Sequence, residues 1–132
     1  MKTIIIILFF LIILAIIVAI VGLTNWGLGT MEKYVDDNSK ETWAPDYHWY
    51  IAGAYFYTFR ENKALDSYKD FILKYPDDAR LPDAYYRVAS CYQEMNMKSE
   101  AANAFTEFAD KYPDNPNADE ARKRAGLIRY AH

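Results

Sequence analysis

Much of what small-molecule chemistry requires is scarce in this chain. It has one cysteine, two histidines and five glycines in 132 residues. A single cysteine excludes an internal disulfide and any cysteine-based zinc site. Cys91 lies between Ser90 and Tyr92 in a helical pattern and reads as a buried, inert thiol. His48 and His132 are 84 positions apart, with no metal-like spacing and no C-x-x-C-H run for haem; they read as surface and tail residues. The glycines are scattered and open no phosphate-binding loop. Basic residues number 15 against 18 acidic, a net charge of −3, which leaves no basic footprint for nucleic acid. Asp77, Asp78 and Asp114 sit in turns beside helix starts, where solvated aspartates are ordinary. No Asn-x-Ser/Thr acceptor occurs, which leans toward a prokaryotic source. Together these absences argue against an enzyme and against any cofactor, metal or small-molecule substrate.

What is present falls into two chemically different parts. Ile4 to Leu23 is uncharged and mostly Ile and Leu. At about 1.5 Å per residue such a helix spans roughly 30 Å, the thickness of a bilayer's hydrocarbon core. A secretory signal has a shorter apolar stretch and a small-residue cleavage site, whereas "VGLTNWG" offers none and no lipidation cysteine comes after it. Residues 1–23 are therefore expected to be a retained transmembrane signal-anchor helix, in contact with lipid through residues 4–23. Lys2 precedes the run and the next lysine is Lys33. This places the amino end in the cytoplasm and the bulk on the periplasmic or extracytoplasmic side. Ala15, Ala19 and Gly22 share one side at helical spacing, a candidate seam for packing against another membrane helix. Residues 24–44, with Gly27, Gly29 and "DDNSKE", read as a juxtamembrane linker with one helical turn around Met31 to Val35.

Beyond it the sequence repeats. "KYPDD" at Lys74–Asp78 returns as "KYPDN" at Lys111–Asn115, 37 positions later. The same shift places Ala52 on Ala89, Tyr55 on Tyr92, Ala64 on Ala101, Tyr68 on Phe105 and Pro76 on Pro113. Self-similarity at such a period marks a stacked array. The patterning predicts helices at 46–59, 63–75, 83–95, 100–112 and 118–131, and no strand. Asn62 and Ser99 are the expected side-chain caps of the second and fourth of these. Pro76 and Pro113 end the helices before them. The alanines let two helices approach closely, and the aromatics fill the space between one pair and the next.

On these residues each copy resembles a tetratricopeptide repeat: Ile51, Ala52, Tyr55, Ala64, Tyr68 and Pro76 in the first, Val88, Ala89, Tyr92, Ala101, Phe105 and Pro113 in the second. "ADEARKRAG" at Ala118–Gly126 resembles the opening helix of a third unit. The period and the "YPD" ending are similar to repeats of bacterial envelope proteins of the Tol–Pal coordinator and barrel-assembly lipoprotein types, although this chain lacks their lipoprotein cysteine. The resemblance implies a short α-solenoid over 45–132, with repeat 1 at 45–78, repeat 2 at 82–115 and a capping helix at 118–131, so that with the anchor helix read from the apolar run the chain is expected to be all-α.

The resemblance also implies that the first helix of each pair lines a groove. Its partner-facing residues would be Trp49, Phe56, Tyr57, Tyr86, Gln93 and Tyr130, with an apolar or helical protein segment as the ligand. Stable arrays generally need about three repeats, so an exposed end is expected to find protein company. The leading expectation is an accessory scaffold subunit of a larger membrane complex. The alternative is a free-standing periplasmic adaptor that captures soluble partners transiently.

Overall fold

A computed structural model of the chain describes residues 2–130; the side chains of residues 2, 18, 19 and 21–25 lie outside the described part. The described residues form six α-helices and no strand: α1 (Lys2–Asp37), α2 (Ala44–Tyr57), α3 (Glu61–Lys74), α4 (Leu81–Glu94), α5 (Lys98–Lys111) and α6 (Ala118–Tyr130). The chain divides after Asp37 into two compact units.

The first unit is α1, which continues without a break through residues 24–37 of the expected linker. No proline stands between residues 2 and 44 to remove a ladder hydrogen bond. Gly27 and Gly29 have no positive φ, and the Thr30 hydroxyl donates back to the Trp26 carbonyl at 2.9 Å. Glycine weakens a helix without breaking it. Of the proposed membrane seam, Ala15 is exposed, while Ala19 and Gly22 lie outside the described residues. Among the described residues no helix is long and apolar enough to cross a membrane.

The second unit is a run of antiparallel helices in which each packs on the next, from α2 to α6. Ala52, Ala64, Ala89 and Ala101 are all fully buried, which is how the paired helices come so close. Around them Tyr55, Tyr68, Phe71, Phe105 and Phe108 are almost completely enclosed. Ala118, Ala121 and Ala125 of α6 close the far side against Ala102, Phe105 and Ala109 of α5.

The repeated pentapeptide has a structural meaning residue by residue. Tyr75 packs its ring on Phe71 at 5.1 Å and His48 at 5.6 Å. Tyr112 does the same with Phe108 at 6.0 Å and Tyr85 at 5.6 Å. The proline comes after the last helical turn, and the fifth residue folds the chain back. Asp78 Oδ1 accepts the Arg80 backbone N–H at 2.9 Å, and Asn115 Oδ1 accepts that of Asn117 at 2.9 Å, each an Asx turn.

Two local expectations are corrected. Asn62 and Ser99 make no side-chain cap bond, because α3 and α5 start at Glu61 and Lys98 and leave Arg60 and Met97 in the cap position. The turn before each helix explains the shift. Phe59 and Asn96 both stand at φ 57°. Arg60 N–H bonds the Tyr55 carbonyl at 3.0 Å, and Met97 N–H bonds that of Tyr92 at 2.9 Å. This Schellman closure satisfies the orphan carbonyls and hands the chain directly into the next helix. His48 is not a surface residue either: it is 1% exposed, edge-on to Phe71 and Tyr75. The 37-residue shift pairs it with Tyr85, which is partly buried and packs against the second repeat's core.

Candidate functional site

The residues expected to line a groove divide by environment. Phe56 and Tyr57, at the end of α2, meet edge to face at 5.7 Å. Arg87 of α4 lies over both rings, 5.2 and 5.7 Å from their centroids, and donates Nη2 to the Tyr57 hydroxyl at 3.3 Å. One repeat later Arg124 of α6 lies 5.9 Å from each of Tyr86 and Phe105 and is tethered to Glu120 at 3.0 Å. In each case an arginine from the next first helix covers aromatic rings of the preceding repeat. Such stacks contribute about 0.5–1 kcal/mol each at exposed sites. They also hold a planar cation in a fixed place.

Trp49 and Tyr86 are half-buried and anchored inward. Trp49 stands edge-on to Tyr68 at 5.4 Å and tilted on Phe71 at 5.5 Å. Tyr86 is edge-on to Phe105 at 5.4 Å and Phe108 at 5.3 Å. Tyr57 and Tyr130 are open, at 69% and 80% exposure. Gln93 is exposed and borders a pocket of about 120 Å³ with Asn96, Lys98, Ala101 and Ile128. The structure thus joins Phe56 with Tyr57, ties Trp49 and Tyr86 to the core, and leaves Gln93 and Tyr130 apart from both.

Beside Trp49 sits an ionic joint. Arg80 lies 5.9 Å from the Trp49 ring and 5.5 Å from Phe71, and pairs with Asp46 at 2.8 Å and Asp78 at 2.7 Å. The side-chain hydrogen bond from Arg80 holds the Asp78 carboxyl below its ordinary range, and the same bond raises the arginine further. Elsewhere burial dominates. It pushes the Cys91 thiol and the Tyr68 hydroxyl each up to about 12, so Cys91 has little thiolate at neutral pH. Among the described residues no group of three or more His, Cys, Asp or Glu could hold a metal.

Sequence reasoning missed Arg80, Arg87 and Arg124. Arg87 and Arg124 are 37 positions apart, so the period itself carried the signal for that pair. Arg80 has no such counterpart, since Asn117 occupies its place in the second copy. The tetratricopeptide repeat family model matches residues 46–78 and 83–115, together half of the chain. A comparison with curated proteins gives no match.

Proposed function

The chain belongs to the tetratricopeptide repeat family, and from that premise we propose that it is a membrane-anchored, non-catalytic scaffold, an accessory subunit of a larger membrane complex. Tetratricopeptide repeats mediate protein–protein interaction and scaffolding. The observation that carries the reading is the face where Arg87 covers Phe56 and the open Tyr57. An exposed tyrosine beside a fixed arginine is the pairing that anchors protein interfaces. The ligand of this face is a protein segment with apolar residues for the rings.

Anchoring rests on the sequence. Ile4 to Leu23 carries no charge. The described side chains from Ile4 to Ile17 stand exposed along α1, a surface that lipid would cover at a gain of about 1.5–3 kcal/mol per large side chain. Lys2 before the run keeps the amino end in the cytoplasm and puts the repeats on the periplasmic side of a bacterial inner membrane. Ala15, Ala19 and Gly22 give the span its packing side toward a neighbouring membrane helix.

Because Trp49 and Tyr86 support the core, the test uses the open rings. Tyr57→Ala with Tyr130→Ala should leave helical circular dichroism unchanged and abolish co-migration of the detergent-extracted chain with partner subunits in native mass measurement. A wild-type chain that runs alone as a monomer would overturn the subunit reading and favour the free-standing adaptor. A doubly substituted chain that still co-migrates would remove this face from the interface.

A further inference from the structure

Helices α3 and α5 both pack on α4, and a groove of about 300 Å³ opens where the three meet. Its lining is mostly aliphatic: Ile72 and Leu73 from α3, Val88 from α4 beside Tyr85, and Ala104 from α5. Leu73 is 78% exposed, whereas the second repeat carries Asp110 in the same place. A single exposed leucine is ordinary, but one continuous with an apolar groove marks an interaction site.

Two lysines, each held by a tyrosine, stand at its ends. Lys111 of α5 donates Nζ to the Tyr85 hydroxyl at 2.6 Å and lies 4.3 Å from the ring centroid. Lys69 of α3 donates to the Tyr92 hydroxyl at 2.7 Å and lies 5.0 Å from that ring. Tyr85 and Tyr92 are seven residues apart in α4, two helical turns or about 10 Å along its axis. Val88 falls between them. An ammonium carries three donors, so one bond to a phenol leaves each lysine able to take a carboxylate. Glu107 of α5 also lines the groove and disfavours an anion midway. Charge and shape therefore ask for the same occupant, acidic at both ends and aliphatic in the middle.

We propose that this groove binds a helix of a protein partner in which two carboxylates stand seven residues apart with large aliphatic residues between them. Positions i, i+3, i+4 and i+7 share one face of a helix. The aliphatic pair at i+3 and i+4 packs on Leu73, Val88 and Ala104, while the carboxylates at i and i+7 meet Lys69 and Lys111. No helix described above carries that pattern, which disfavours a second copy of the same unit. None of these residues belongs to the aromatic face of Phe56, Tyr57 and Arg87, so the two surfaces can fail separately.

Stapled fluorescent helices make defined probes. One carries glutamate at i and i+7 with leucine at i+3 and i+4; one control carries lysine at the ends, and another serine in the centre. The detergent-solubilised full chain should bind the glutamate–leucine helix at least about tenfold more tightly than either control, and raised salt should weaken it. Lys69→Glu with Lys111→Glu should invert the preference in favour of the lysine probe. Leu73→Ser should lose about tenfold in affinity. All three positions are exposed, so helical circular dichroism should not change. The proposal fails if either control binds as well as the glutamate–leucine helix, or if the charge-reversed chain keeps the wild-type preference. It fails equally if Leu73→Ser binds as the wild type does, or if phosphatidylglycerol bicelles displace the probe.

Discussion

Helices α2 and α4 occupy the same place in consecutive repeats and differ along one side. In α4 that side carries Ala84 and Cys91, both fully buried, with Arg87 between them. In α2 the same positions carry Tyr47, Tyr50 and Ala54, with Tyr47 50% and Tyr50 71% exposed. The inner positions are nearly interchangeable: Ala52 and Ala89, Ala64 and Ala101, and Tyr68 and Phe105 are all at most 2% exposed. Packing inside a pair is therefore a property of the pair. The outer side is written by the neighbour: where α3 lies against α4 two of the three residues are small and sealed, and where no repeat precedes, large polar-tipped rings are tolerated.

If packing within the pairs is equivalent, Ala64→Leu and Ala101→Leu should each overpack a closed contact and cost about 1–3 kcal/mol in urea unfolding. A cost confined to one repeat would break the equivalence. The joints after the pairs should differ more. Asp78, whose folded-state pKa lies below its unfolded value, contributes stability that is complete above the ordinary carboxylate range and disappears as pH falls through the lowered value. Asp78→Asn should cost about 1–2 kcal/mol at neutral pH and flatten the acid side of a melting-temperature profile. Asn115→Ala, at a joint with no such ion pair, should leave that profile's shape intact. The smallest effect belongs to the two helix closures. Asn96 suits φ 57°, whereas Phe59 holds the same angle with an 84% exposed ring. Phe59→Asn should stabilise by about 0.5–1 kcal/mol in a thermal melt; a loss instead would show that the ring packs.

The period of 37 makes the helix count, the pairing and the buried alanines of the repeats readable in the sequence. It fails where single residues of the two copies have to be set against each other. His48 reads as a surface residue although it aligns with Tyr85, and Arg87 gives no signal until it is aligned with Arg124. Other misses concern local backbone conformation. The helix through 24–37 is hidden by two glycines that a helix can carry, and the caps at Asn62 and Ser99 are displaced by a turn in which Phe59 takes a glycine's conformation. Of the expected face, Tyr57, Gln93 and Tyr130 are as open as the pattern suggests, while the half-burial of Trp49 and Tyr86 depends on Tyr68, Phe71, Phe105 and Phe108 across the pair.

The residues ending α3 and α5 leave their helices at φ −126°, ψ 62° and φ −127°, ψ 62°. Joints that turn through the same angles make each pair a modular cassette. A duplicated segment of one period should splice into the stack at Pro82 without reorienting the helices beyond it, so the molecule can lengthen by whole units while its end surfaces stay unchanged.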